Sequence, residues 1–190
     1  IWLNSDTYIN KNALNSILND YKQIKKSNCK DGIITAACHD EYGKFTYGGR
    51  DKNEKPIIPN GEPSQCQYIN GNFVLVPKTI KNDIGILSSE FTHQYGDIEY
   101  GLRAKKNGYE CFTTSNYLAI CKKDKSLPKW ANSKIKLRDR IIDFHSPKGL
   151  HMTEYRVFRK MYWKSSWIIY VGKAYLKLFM PKLYSRIKYE

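Results

Sequence analysis

The sequence predicts an α/β body followed by a basic helical extension. Three observations carry that expectation. Short apolar or β-branched runs alternate with stretches of helical periodicity over the first two thirds of the chain. The 190 residues suffice for one substantial core, so one domain with an appendage is the default. Charge is unevenly placed: residues 1–121 hold 14 Lys and Arg against 13 Asp and Glu, whereas residues 122–190 hold 18 against 5. The chain therefore divides into a near-neutral body, 1–121, and a basic, aromatic-rich tail, 122–190, that needs an anionic partner or surface.

Composition narrows the class further. A hydrophobic content of 41% with 14% aromatics argues against disorder. Fifteen tyrosines suit surfaces that are part apolar and part wet. Cys29, Cys38, Cys66, Cys111 and Cys121 form no C-x-x-C pair, which favours free thiols in a reducing compartment over disulfides or structural zinc. No run approaches the ~18 apolar residues of a membrane span. The first residue is not Met, the opening residues already read as a strand, and no signal peptide precedes them. The sequence thus looks like a piece of a longer protein.

Taken in order, Ile1-Trp2-Leu3-Asn4 reads as a central strand that delivers the loop Asn4-Ser5-Asp6-Thr7 to a sheet edge. A helix is expected over 11–25, with Leu14, Ile17, Leu18, Tyr21 and Ile24 on its apolar side and Asn10 as its cap. Residues 32–37 form a short buried strand. A turn at 41–44 leads to Phe45-Thr46-Tyr47, and the Pro-rich polar stretch 50–65 is a loop long enough to serve a site. Residues 67–76 read as a strand interrupted at Gly71, which marks either a close approach by another group or a bulge. Pro77 opens a short helix to Asp83. Residues 95–103 pass from loop into a helix that runs to about Asn107, with Gly108 as its left-handed cap. A final strand follows over 109–114. In the tail, Ser146-Pro147-Lys148-Gly149-Leu150 is a break. Thr153 is expected to cap a helix bearing Tyr155, Phe158, Met161 and Tyr162. A further amphipathic segment carries Trp167, Tyr170, Val171, Ala174 and Leu178 on one side.

Two carboxylates stand out. Asp6 follows a strand at a sheet edge, where ligands of α/β proteins bind. With Asn4 beside it, Asp6 offers hard oxygens suited to Mg2+ or Mn2+. Taken alone, Asp6 reads rather as an Asx-turn or helix-start residue. Asp97 taken alone reads as an N-cap, and Glu99 with Arg103 as an i,i+4 pair worth ~0.2–0.5 kcal/mol. Together on one sheet edge the two acids say more. One could hold a metal-bound leaving group while the other takes a proton from an incoming hydroxyl.

The ordered set Trp2-Leu3-Asn4-Ser5-Asp6-Thr7, Asn70-Gly71-Asn72-Phe73-Val74-Leu75-Val76-Pro77, Ile84-Gly85, and Gly96-Asp97-Ile98-Glu99-Tyr100-Gly101-Leu102-Arg103 with Gly108-Tyr109 resembles the inverting family 2 glycosyltransferases of the GT-A fold. The resemblance covers about residues 1–121. The tail looks like the C-terminal extension of bacterial members that build cell-surface polysaccharide. The resemblance implies the acceptor-side part of a GT-A (Rossmann-like) mixed sheet with flanking helices. It also implies transfer of a sugar, with inversion, from a nucleotide-sugar donor to a glycan or lipid-linked acceptor, assisted by a divalent cation, Mg2+ or Mn2+.

On that resemblance Asp97 takes the position of the catalytic base, with Gly96 where a Glu usually stands. Asp6 is the last carboxylate of the metal-binding D-x-D motif, with Asn4 in place of its first acid. Gly71 and Asn72 fall where acceptor and donor sugars meet, and Glu99 and Arg103 orient Asp97 or contact the acceptor. Cys121 stands where many members carry a His near the metal. His145 and His151 are the other candidates for that contact, each also readable as a surface His. The family's nucleotide-binding βαβ half is expected ahead of Ile1, so this stretch by itself should hold the acceptor half of the site and show little or no transfer. The implied location is cytoplasmic, peripheral at the inner face of the cell membrane.

Other readings compete for the same residues. One is a non-catalytic GT-A-like domain. Another is a basic binding module in the tail: Trp, Tyr and Lys/Arg suit an anionic bilayer surface, at about 1 kcal/mol per basic residue. A basic helical cover packed on the body explains the tail nearly as well. Nucleic acid ranks lower as a partner, because no nucleic-acid fold signature accompanies the charge.

Overall fold

The computed structural model describes residues 1–28, 30–92, 94–122 and 127–183. Cys29 lies outside the described residues. The chain forms two compact units, one of Ile1–Ser88 with Asp97–Asp124 and one of Ser89–Gly96 with Lys125–Glu190.

The first unit is an α/β structure built on one seven-stranded mixed sheet. Its strands are β1 (Trp2–Leu3), β2 (Tyr8–Ile9), β3 (Gly32–His39), β4 (Phe45–Tyr47), β5 (Ser64–Gln65), β6 (Phe73–Leu75) and β7 (Glu110–Ile120). The order is β1-β6-β3-β7-β2, with β4 paired to β3 and β5 to β7. β3 runs parallel to β7 and antiparallel to β6. Seven of its eight residues are buried, as expected of a strand covered on both faces.

Alternation along the strands separates two cores. On one face, α1 (Ala13–Asn28) sets Ala13, Ile17 and Ile24 against Ile34, Phe73, Leu75 and Phe112. The other cluster joins Ile33, Val74 and Cys111 to Ile80 of α2 (Lys78–Ile84) and to Tyr100 and Ala104 of α3 (Gly96–Lys106).

Several sequence expectations are corrected here. β1 is an edge strand rather than a central one, and Ile1 and Leu3 are exposed, because only β6 pairs with it. Leu14 and Leu18 also face solvent, since α1 touches the sheet along a stripe narrower than its apolar side. Asn10 does not cap that helix; its side-chain amide donates to the Tyr117 carbonyl oxygen at 3.1 Å. The strand expected over 67–76 contracts to β6, and the one expected over 109–114 extends to Ile120.

The second unit is helical: α4 (Leu137–His145), α5 (Met152–Tyr162) and α6 (Trp167–Phe179), with a 3-10 turn at Lys129–Ala131. Its core joins Trp130, Phe144, Met152, Tyr155, Ala174 and Leu178. α5 begins directly after His151, which adopts left-handed backbone at φ 48°, so Thr153 sits inside the first turn and is not the cap. The Arg159 guanidinium lies 4.3 Å from the Trp163 ring centre and 4.4 Å from that of Tyr170, a cation–π arrangement that packs α5 on α6.

Residues 89–96, expected in the body, belong to this unit for a visible reason. Phe91 packs edge-on to Phe158 and Tyr95 stacks on it at 5.0 Å. The Glu154 carboxylate accepts from the Thr92 amide at 2.9 Å, the Thr92 hydroxyl at 2.7 Å and the Gln94 amide at 3.3 Å. Burial works to raise the Glu154 carboxyl, but these donors and His151 outweigh it and bring it down to about 2. Among the described residues no helix is long and apolar enough to cross a membrane.

Candidate active site

The candidate site is built on the turn Asn70-Gly71-Asn72, immediately ahead of β6. Thr35, fully buried on β3, fixes that turn. Its hydroxyl donates to the Asn70 carbonyl oxygen at 2.7 Å and accepts from the Asn70 amide at 3.3 Å. The Asn70 side chain in turn accepts from the Asn72 amide at 3.2 Å. A polar pair that closes its own hydrogen bonds inside a sheet holds a loop without leaving a buried group unsatisfied.

Asn4 is clamped to this turn at two points. Its backbone amide donates to the Asn72 carbonyl oxygen at 2.9 Å, and its side-chain amide donates to Asn72 Oδ1 at 2.9 Å. Asn72 is buried and passes a further bond to Cys121 Sγ at 3.2 Å. The loop carrying Asp6 is therefore tied to the sheet through Asn72.

Asp97 reaches the same turn from the first turn of α3. Its Oδ2 accepts from the Gly71 amide at 2.7 Å and its Oδ1 from the Ile98 amide at 2.7 Å. Burial raises the Asp97 carboxyl above the ordinary carboxylate range, opposed by these backbone donors. Gly71 is tightly packed: a Cβ there would stand 3.1 Å from Asp97 Cβ and 3.3 Å from Oδ2. Of the two readings of Gly71, the close approach is the one observed, and the approaching group is Asp97.

The remaining candidates fall elsewhere. Asp6 is exposed, and its charge adds to burial in pushing up the thiols of Cys121 and, to about 12, Cys38. Cys121 is thereby a buried neutral thiol, poorly suited to take over a His contact to a hard cation. Glu99 is only 1% exposed and faces Arg103, with Nε to Oε1 at 2.9 Å and Nη2 to Oε2 at 3.1 Å. Arg103 also donates to the carbonyl oxygens of Ile84 and Ile86. The pair pins the 84–86 turn to α3, and Glu99 has no surface to offer an acceptor. His145 and His151 belong to the second unit, where His145 is exposed at the end of α4 and His151 Nδ1 lies 2.8 Å from Glu154 Oε1.

Among the described residues no group of three or more His, Cys, Asp or Glu is placed to hold a metal ion. The side-chain oxygens at the turn, on Asn70, Asn72 and Asp97, are all engaged in the hydrogen bonds above, and Asp6 stands exposed on the loop that Asn4 ties to Asn72. The Asp6 carboxylate and the Asn4 amide oxygen alone are a sparse set, of the kind that suits a cation keeping most of its waters or taking the rest of its ligands from a bound phosphate, as Mg2+ does. Thr35 and Asn70 are the working residues that sequence reading missed. The Asn-Gly-Asn run signals the turn, but nothing local shows that a hydroxyl on the neighbouring strand β3 anchors it.

No protein family, no curated protein and no solved structure matches the chain. The functional reading therefore rests on the residues and their geometry.

Proposed function

We propose that the first unit is the acceptor-side part of a GT-A-type inverting glycosyltransferase, hexosyltransferase-like and of the family 2 kind. It would move a sugar from a nucleotide-sugar donor to a glycan or lipid-linked acceptor. One observation carries this reading: consecutive residues Gly71 and Asn72 bind Asp97 on one side and Asn4 on the other. A base candidate and a loop bearing a metal-ligand candidate are thus held by a single turn.

Asp97 accepts the proton of the attacking hydroxyl through an oxygen already oriented by backbone amides. A carboxyl raised by burial is a better base than an ordinary one. Asp6, with the Asn4 amide oxygen, would hold Mg2+ or Mn2+. That cation would neutralise charge on the departing diphosphate.

The test is sugar transfer by the full protein from a panel of nucleotide-sugars with Mn2+, comparing wild type with Asp97→Asn. Turnover should fall at least a thousandfold while the melting temperature holds. Retention of activity within tenfold would sink the role of Asp97.

A second reading is favoured by a separate observation on α6. Ile168, Ile169, Leu176 and Phe179 are exposed along one side of that helix, beside Lys173 and Lys177, in the unit that carries the excess of positive charge. Such a face suits the interface of an anionic bilayer. Binding to anionic but not neutral vesicles, weakened by salt, tests it.

A further inference from the structure

Arg140 on α4 is the most deeply buried cation described in the second unit, at 6% exposed. Its Nε donates to the Trp130 carbonyl oxygen at 3.3 Å. Its Nη2 is buried and has no hydrogen-bond partner among the described residues. A guanidinium N–H removed from water without an acceptor is costly, and the cost is relieved by an anion.

Arg140 is also among the residues that line an open cavity of about 400 Å3. Ser133 and Lys182 are its other polar lining groups, and Phe179, Met180 and Leu183 supply an apolar wall. Among the described residues, no Asp or Glu lines it. Phe179, Met180 and Leu183 are themselves exposed, so the apolar wall opens outward from the C-terminal end of α6.

We propose that this cavity binds the anionic head, phosphate or carboxylate, of an amphiphile whose hydrocarbon lies on Phe179, Met180 and Leu183. A planar guanidinium matches the oxygens of either head with paired, charge-assisted hydrogen bonds. The cavity volume is within the usual range for small-molecule sites. The inference rests on the second reading, the lipid-facing helical unit. It adds a discrete site with one ligand class to what is otherwise a surface.

The test is calorimetric titration of the full chain with decyl phosphate and decanoate below their micelle concentrations, with decanol and inorganic phosphate as controls. Saturable one-to-one binding of at least one anionic amphiphile is expected, at least tenfold tighter than either control. Which of the two binds distinguishes a phosphate from a carboxylate source. Arg140→Gln should weaken binding at least tenfold. Because Arg140 also holds Trp130, Met180→Glu is the second variant; it changes a half-exposed wall residue and should weaken binding equally without lowering the melting temperature. Absence of one-to-one binding, equal affinity for inorganic phosphate, or full binding by Met180→Glu overturns the proposal. If anionic vesicles still bind while the free amphiphiles do not, the surface reading stands and the cavity reading falls.

Discussion

The Gly71 amide lies 2.7 Å from Asp97 Oδ2, and a methyl group on Gly71 would stand only 3.1 Å from the Cβ of that same side chain. The backbone of Gly71 needs no left-handed angle, so the constraint is steric alone. Gly71→Ala should force Asp97 aside and cost about 1–3 kcal/mol of stability, the usual range for overpacking. Urea unfolding followed by circular dichroism measures this, and an unchanged midpoint would show that the turn can yield.

Asp97→Asn separates function from stability. The folded carboxyl is raised, so its neutral form is the one folding prefers. The stability it contributes is present below its unfolded value of 3.8 and is lost as pH rises through the raised folded value. Asp97→Asn removes that dependence on pH, while an amide donor replaces one of the two oxygens that accept from Gly71 and Ile98. The melting temperature of the variant should therefore differ less between pH 3 and pH 7 than that of wild type. Thermal scans at the two pH values check the sign.

How far the sequence was legible follows from these residues. The α/β class, the helix ending before Gly108 and the apolar side of α6 all come from local periodicity, which a chain states openly. Leu14, Leu18 and the edge position of β1 do not, because burial depends on which partner covers a face, and periodicity is silent on partners. Asp97 was visible as an acid at a helix start. Its partner Gly71 stands 26 residues earlier, and Thr35 a further 36, so their meeting is a property of the sheet order. Glu99 and Arg103 showed the opposite failure: the i,i+4 spacing was right, but burial turned an expected surface pair into a tertiary pin.

That pin has a measurable worth. Arg103→Ala strips the guanidinium from a carboxylate that is 1% exposed and releases the carbonyl oxygens of Ile84 and Ile86. Breaking one side of a buried pair costs about 3–5 kcal/mol, far above a surface pair. Glu99→Gln with Arg103→Met should recover part of the loss. A double-mutant cycle by denaturant titration decides; a loss under about 1 kcal/mol for Arg103→Ala would return the pair to the surface class.

The second unit should be acid-sensitive through Glu154. Its carboxyl is lowered from 4.5 to about 2, so the stability it gives is present above 4.5 and fades as pH falls toward 2. The upper figure is roughly 3 kcal/mol. Three of the four tryptophans, Trp130, Trp163 and Trp167, lie in this unit, so fluorescence melts between pH 5 and 2.5 report on it. Glu154→Gln should lower the melting point at pH 5 and flatten its dependence on pH.

The eight residues before Asp97 take their packing from the helical unit, while Asp97 itself belongs to the sheet unit. Along the sequence, the chain thus passes from one unit to the other three times. A cut near residue 124 would not yield a clean module: it would remove Glu154, Phe158 and Gly149 from Thr92, Tyr95 and Gln94. The helix that carries Asp97 would then start from an untethered lead. A fusion, truncation or recombined gene divided at that point would keep residues 89–96 in the sheet half of the sequence while discarding the helices that pack them, and would leave the lead into Asp97 to find a new partner.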